Sequence, residues 1–435
     1  MVRFDEVLPE LVRIVETSAQ ATAIERAAVV RDVRGRVRLV IKPVATAAPD
    51  LTALEVALKS ALGDWFAPPI WTTTAMDDAG RLGGKAMEMA GPWSPKYQDP
   101  VTGQELIPAS GRWRRLERRL SKEVWLDQAD AEPPWELAPG APTIVTFFSF
   151  KGGVGRTTAL ASCAWQLARR GHRVAAVDLD LEAPGLGTLF GAQTERGVLD
   201  FIVDHFAIGA RDLDGLHALA QGLPEADASM LEVFPAGGLE PGYLEKLARL
   251  DFAGSRLGDG SERSPVGTAL TALLQSIRAT LRPDFILLDS RAGLHDLAGL
   301  SLHGLAHIDV LVGRASEQAY AGMDLTLQIL ARRKGAEKLQ CVLIHSLAPP
   351  VPGSIEAQLE EAAFIKRTYQ AFQKYIYTEN APAEDDSEAM HWPIVVRSDN
   401  ALERFSMIGQ VPEPRVFSGG YQDLCEYIVQ LSQPT

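Results

Sequence analysis

The sequence predicts an α/β fold: a mostly parallel, doubly wound sheet with helices on both faces, preceded by a small α+β domain. Three observations carry this. Short apolar runs recur after residue 141, and helical segments separate them. Apolar strands alternating with helices imply a parallel sheet covered on both sides. A glycine-rich turn, FFSFKGGVGRTTALA (147–161), joins the first of these runs to a helix. A proline-rich stretch, DAEPPWELAPGAP (130–142), reads as a linker, because proline neither continues a helix nor joins a central strand. The expected domains are therefore 1–140 and 141–435.

The first domain is less legible. FDEVLPELVRIVET is amphipathic, with Phe4, Val7, Leu8, Leu11, Ile14 and Val15 inward, and RVRLVIKP alternates as a strand does. LTALEVALKSALGDWF is a second amphipathic helix. GRWRRLERRLSKEVW (111–125) carries six cations. It is either a basic surface for nucleic acid or an acidic partner, or a solvated face balanced by nearby acids.

In the second domain TIVTFFSF (143–150) is a buried strand. Residues 156–170 have helical spacing, with Leu160, Cys163, Ala164 and Leu167 on one face and a stop at Gly171. RVAAVDLDL, MLEVFPAGG, DFILLDSRAG, HIDVLVGRAS, LQCVLIHSLAPP and HWPIVVRSD supply six more strands, and residues 266–281 another helix. Right-handed crossovers place the loops after the strands along one edge. The stretch 379–388 (ENAPAEDDSE) reads as an exposed acidic loop.

Composition narrows the function. The chain has 435 residues, 46% hydrophobic and 23% charged, which is a soluble globular profile. No run approaches the roughly 18 apolar residues of a membrane span. The start, MVRFDEVLPELVRIVET, carries acids among its apolar residues and does not read as a signal peptide. Cys163, Cys341 and Cys425 are far apart in sequence and form no metal spacing; buried thiols in a reducing cytoplasm are expected. The net charge is −13, yet residues 1–140 hold 18 basic and 20 acidic residues, so the acidity lies in the second domain. That domain is a poor match for DNA or an anionic membrane.

A glycine loop between strand and helix offers convergent amides and a helix N-terminus to a phosphate. The standard pattern is G-x-x-x-x-G-K-[ST]. Aligned on Gly155, the chain presents Phe150, Gly155, Arg156 and Thr157, so two of the four positions fail.

KGGVGRTT nonetheless resembles the deviant phosphate loop of the MinD/ParA group of ATPases, K-G-G-x-G-K-[ST]. VAAVDLDLEAPGL, LEVFPAGG, FILLDSRAGL, IDVLVGRASEQAYAGM and WPIVVRSDNALERFSMIGQ resemble further segments of that group in the same order, over roughly residues 143–420. The resemblance implies ATP and Mg²⁺ as cofactors and a homodimer that sandwiches the nucleotide. It implies that Gly152, Gly153, Val154 and Gly155 cradle the phosphates, and that Lys151 reaches across the interface to the partner's nucleotide. Thr157 would offer its hydroxyl to Mg²⁺, and Thr158 would bond the α-phosphate region. Asp178 and Asp289 would stand near the metal, and Asp180 would position the attacking water or else cap the next turn. Arg397 belongs to the segment expected to line the base pocket, where His345, Ser346 and Ser398 also stand. Lys151, Arg156 and Asp180 are the candidate catalytic residues.

Arg156 departs from the family's lysine. It keeps the charge but is planar, longer and never neutral. Nucleotide binding is expected to survive, and hydrolysis depends on finer positioning. Arg291 adds a cation with three candidate partners: phosphate, Asp296 or Asp180. The expected function is an ATP-binding, slowly hydrolysing dimeric switch that couples nucleotide state to a partner held by the first domain. The alternative is a non-hydrolysing ATP-bound scaffold. KGGVGRTTAL followed by DLDLEAPGL also resembles a subgroup associated with signalling and phage-defence modules. The C-terminal GGYQDLCEYIVQLSQPT has no cation, so a membrane anchor is not expected.

Overall fold

The computed structural model of the chain describes residues 2–46, 48–74, 77–98, 103, 105–106, 108, 111–119, 121–126, 132–250, 264–335, 338–377, 381–402 and 405–433. It divides into two compact units, Met1–Leu120 and Ser121–Thr435. The division falls ahead of the boundary expected near residue 141. Trp125 explains this: it is 4% exposed and packs among Phe148, Leu302 and Leu327 of the second unit. Trp135, in the proline-rich stretch, donates its indole N–H to the Pro142 carbonyl at 2.8 Å, and its own carbonyl lies 2.8 Å from His307 Nε2. Residues 132–142 of the expected linker thus belong to the second unit.

The first unit is α+β. Helix Phe4–Thr17 buries Val7, Leu8, Leu11, Ile14 and Val15 against a five-stranded sheet. Strands Ile24–Arg31 and Val37–Pro43 pair antiparallel, and Trp113–Glu117 joins Ile24–Arg31 in parallel. The basic run 111–125 therefore begins as a sheet strand. Arg112 pairs with Glu16 at 3.1 Å and Arg115 with Glu117 at 3.5 Å, so these cations are answered by acids of their own unit.

In the second unit eight strands form one sheet: β1 (Thr143–Phe148), β2 (Val174–Asp178), β3 (Ala218–Leu219), β4 (Leu231–Phe234), β5 (Phe285–Asp289), β6 (Ile308–Gly313), β7 (Cys341–Ala348) and β8 (Ile394–Arg397). The order is β3-β4-β2-β5-β1-β6-β7-β8. All neighbouring pairs are parallel except β3 with β4. Seven of these strands match the sequence reading. The two-residue edge strand β3 was not anticipated; it is too short to show alternation.

Period-two alternation sends Val145, Phe147, Ala176 and Leu287 to one face, under α1 (Arg156–Arg169) and the C-terminal helix α7 (Gly420–Leu431). Ile144, Ala175, Val177, Ile286 and Leu288 point the other way, under α2 (Val198–Ile208) and α3 (Pro265–Leu281). Phe148, Leu311 and Leu343 continue that face under α4 (Asp296–Gly304), α5 (Glu317–Lys334) and α6 (Ile355–Tyr375). With both faces covered, the sheet is doubly wound as expected. The three cysteines are buried and reduced, and Cys163 on α1 meets Cys425 on α7. Among the described residues no helix is long and apolar enough to cross a membrane.

A fragment starting at Ser121 is expected to melt about 5–10 °C above one starting at residue 141, because the shorter one loses the buried Trp125 indole, worth about 3–5 kcal/mol. Equal midpoints by calorimetry would contradict the division at residue 121.

Candidate phosphate-binding site

Parallel strands bring the loops after β1, β2 and β5 to one edge. Register sets the chemistry there: Asp289 stands opposite Phe147 on one side and Asp178 on the other. Two carboxylates on adjacent strands are thereby buried side by side, at 1% and 0% exposure.

The loop after β1 runs into α1 with Gly155 as its N-cap, at φ 78° and ψ 15°. Gly153 has φ 72°. Both are left-handed, a conformation that costs other L-residues about 1–2 kcal/mol. No side chain caps α1, so its first amides face the loop. Ser346 Oγ on β7 donates to the Val154 carbonyl at 2.6 Å, and the Gly293 amide donates to the Ser149 carbonyl at 3.0 Å. These bonds pin the loop from both sides. Phe150, which breaks the standard pattern, lies against Gly322 of α5; a Cβ on Gly322 would sit 2.0 Å from the ring. Lys151 is exposed and makes no ion pair among the described residues.

Arg156 does not point out along the loop. Its Nε donates to Asp289 Oδ1 at 2.6 Å, and its Nη2 to Asp180 Oδ2 at 3.1 Å and to Thr157 Oγ1 at 3.4 Å. Thr157 in turn donates to Asp289 Oδ2 at 2.7 Å. Burial alone would lower the Arg156 pKa, but the charges of Asp289 and Asp180 reverse that and hold it above the usual arginine range. Burial raises the Asp289 carboxyl, and the Arg156 guanidinium and Thr157 hydroxyl oppose the rise. Both Asp289 oxygens accept hydrogen bonds, one from Arg156 and one from Thr157.

Asp178 is engaged by the backbone. Its two oxygens accept the backbone N–H groups of Asp180, Gly185 and Leu186 at 3.0, 3.1 and 3.0 Å. They shape the loop after β2. Burial, then the charge of Asp289, pushes its pKa up to about 7, against those three amides. Of the partners considered for Arg291, phosphate, Asp296 and Asp180, the structure gives Asp180 at 3.4 Å, with Glu182 added at 2.9 Å. Asp296 is taken by Lys122 at 3.1 Å. Thr158 sits in the first turn of α1.

The segment expected to line the base pocket is also engaged internally. Arg397 pairs with Glu361 at 2.8 Å and donates to the Pro349 carbonyl at 3.0 Å. His345 is fully buried, 3.0 Å from Glu360 and stacked on Phe364 at 4.4 Å. Ser346 serves the phosphate loop instead, and the Ser398 amide bonds the Ala348 carbonyl. Glu182 and His295 join the cluster without having been foreseen; Glu182 lies within the segment VAAVDLDLEAPGL and His295 just after FILLDSRAGL, and neither position has a spacing that marks it.

This is a strand–glycine loop–helix site on a doubly wound sheet, the architecture of a P-loop nucleotide-binding protein. The model of the CobQ/CobB/MinD/ParA nucleotide binding domain matches residues 145–377. The chain belongs to that family. Its curated relatives match over short segments. A putative replication protein A of Rhizobium rhizogenes is 49% identical over 55 residues, 13% of this chain and 13% of the relative. An iron-sulfur cluster carrier protein of Aquifex aeolicus (strain VF5) is 40% identical over 62 residues, 14% of this chain and 17% of the relative. Among solved structures, the septum site-determining protein MinD complexed with Mg-ADP from Pyrococcus horikoshii OT3 aligns over 67% of this chain and 97% of its own, at 20% identity and TM-score 0.44.

One prediction concerns Asp178. An acid whose folded pKa exceeds its unfolded value contributes stability below the unfolded pKa and loses it as pH rises through the folded one. The window runs from the ordinary 3.8 to about 7. Asp178→Asn carries no such dependence. The stability advantage of wild type over the variant is expected to shrink as pH rises from about 4 to about 8 in denaturant titrations. A pH-independent difference would contradict this.

Proposed function

We propose that the second unit binds ATP at residues 151–158 and acts as a dimeric, slowly hydrolysing switch. The observation that carries this reading is Gly152. It lies outside the left-handed region, and a Cβ there would meet nothing within 4 Å. With Gly153 and Gly155 beside it in left-handed backbone and no side chain capping α1, that open stretch leaves the loop amides to a phosphate that the backbone approaches closely.

In this reading the amides of Gly152, Gly153, Val154 and Gly155 and the first turn of α1 cradle the phosphates, with Thr158 beside them. Lys151, exposed and unpaired among the described residues, is available to a nucleotide on a second copy of the chain. Bound Mg²⁺ would neutralise charge on the β- and γ-phosphates. Thr157 and Asp289 are the residues fitted to hold it: a hydroxyl and a carboxylate, both hard oxygen donors. Among the described residues no group of three His, Cys, Asp or Glu side chains forms a metal cage, so phosphate oxygens complete such a set. To take part, Asp289 must let go of Arg156, whose guanidinium then turns to the phosphates, where it binds bidentately.

Asp180 is the residue to position an attacking water. In the present arrangement it is held by Arg156 at 3.1 Å and by Arg291 at 3.4 Å. Hydrolysis must await release from both, which makes it slow. The same double clamp supports a second reading, an ATP-loaded scaffold that does not turn over. In either, the first unit is the element that binds a protein partner, in a regulatory or defence setting. The paired cations of 112–115 do not favour nucleic acid.

Phosphate release from saturating Mg-ATP separates the readings. Slow release in wild type, falling about 100-fold in Asp180→Ala, is the expected result. Bound ATP with no release in either protein would leave the scaffold; no ATP binding would overturn the proposal.

A further inference from the structure

The phosphate-side cluster does not end at Arg291. Glu182, in the loop after β2, takes Arg291 Nη2 on one oxygen at 2.9 Å and His295 Nε2 on the other at 2.9 Å. The Leu297 amide donates to His295 Nδ1 at 3.3 Å, so Nε2 carries the ring proton and donates to Glu182. Burial lowers the His295 pKa, in keeping with that neutral tautomer. The His295 carbonyl accepts the Trp125 indole N–H at 2.7 Å. The next residue, Asp296, accepts the Lys122 backbone N–H at 2.6 Å and its ammonium at 3.1 Å. Arg332 of α5 closes the far side, donating to the Trp125 carbonyl at 3.1 Å.

The segment 121–126 is thus strapped onto the start of α4, the helix that follows the Asp289 loop. The fit is close. A Cβ on Gly299 would sit 2.9 Å from Trp125 Nε1, so α4 meets the indole with its backbone. Lys122 has φ 66°, a left-handed conformation that costs a non-glycine residue about 1–2 kcal/mol. The two bonds to Asp296 hold it there. This same segment follows directly on the last residue of the first unit.

We propose that Ser121–Leu126 is a strap that senses the phosphate-side cluster through Glu182 and His295 and passes its state to the chain leading into the first unit. The proposal rests on the nucleotide-binding reading above. A phosphate that draws Arg156 away from Asp180 leaves Asp180 to Arg291 alone. Arg291 then shifts its hold on Glu182, and Glu182 its hold on His295. His295 and Asp296 carry the anchors of the strap, so a movement there loosens or tightens residues 121–126. Glu182 and His295 are positioning residues in this scheme and touch no ligand.

Amide hydrogen exchange on the full chain tests this, with a non-hydrolysable ATP analogue and Mg²⁺ as the probe. In wild type the analogue is expected to change exchange at residues 121–126 by at least about threefold. In Glu182→Ala, whose side chain is 41% exposed in wild type, the analogue is expected to bind and the response at 121–126 to vanish. A purely structural role for Glu182 would leave that response intact. Analogue bound by calorimetry with an unchanged strap, or a full response in Glu182→Ala, would overturn the proposal. Should the analogue fail to bind, the nucleotide reading fails instead, and Arg291→Gln without ligand decides the strap. It is expected to raise exchange at 121–126 at least about threefold, and an unaltered rate would overturn the proposal.

Discussion

Arg156 and Asp289 meet at 2.6 Å in a site where their side chains are 9% and 2% exposed. The rest of the phosphate edge is arranged around that pair. It ties the first turn of α1 to the end of β5, and through Asp180 it ties both to the loop after β2. Removing one partner of such a pair leaves a buried charge and costs about 3–5 kcal/mol, although the intact pair contributes little net stability. Its value is arrangement. The guanidinium stands among Thr157, Asp180 and Asp289, and two of these, Thr157 and Asp289, are the residues proposed to hold a divalent cation. Asp178 feels the same constraint from the other side: packed beside Asp289, it is driven towards the protonated form and given over to backbone amides.

The second unit was legible in the sequence because its central strands are buried on both faces. Ile144 to Phe148, broken only by Thr146, and Phe285 to Leu288 then read as apolar runs, and Gly155 and Gly171 mark the ends of the helix between them. Gly153, Thr157 and Asp289 are singled out by the same strand–loop–helix logic, and Lys151 by the resemblance to the MinD/ParA group. What stayed hidden depends on contacts distant in sequence. Trp125 looks like any aromatic near a linker until Phe148 and Gly299 surround it. Arg397 and Asp178 are motif residues whose polar atoms are claimed by Glu361 and by loop amides, and no spacing rule foretells that. Glu182 and His295 are separated by more than a hundred residues, and only the register of β2 against β5 brings their loops together.

The edge therefore behaves as a set of competing cations. Arg156 and Arg291 hold Asp180, Arg291 also holds Glu182, and Lys122 holds Asp296. Lys151 is the loop cation left exposed. In the proposed function an incoming triphosphate would bring several negative charges to this balance, and the arginines would redistribute between it and the carboxylates. A lysine at position 156 would carry the same charge as a single compact point. It could not span Asp289 and Asp180 through separate nitrogens as the guanidinium does. The arginine thereby ties Asp289 and Asp180 together in the ligand-free arrangement.

The central claim is that Arg156 and a divalent cation compete for Asp289 and Thr157. Calorimetric titration of ATP, with Mg²⁺ and with chelator, into wild type and Arg156→Lys tests it directly. The gain in ATP affinity on adding Mg²⁺ is expected to be at least about fivefold larger in the lysine variant, since linkage makes competition for one site reciprocal. Equal gains in the two proteins would mean that the arginine does not stand in the metal's way, and would contradict the account.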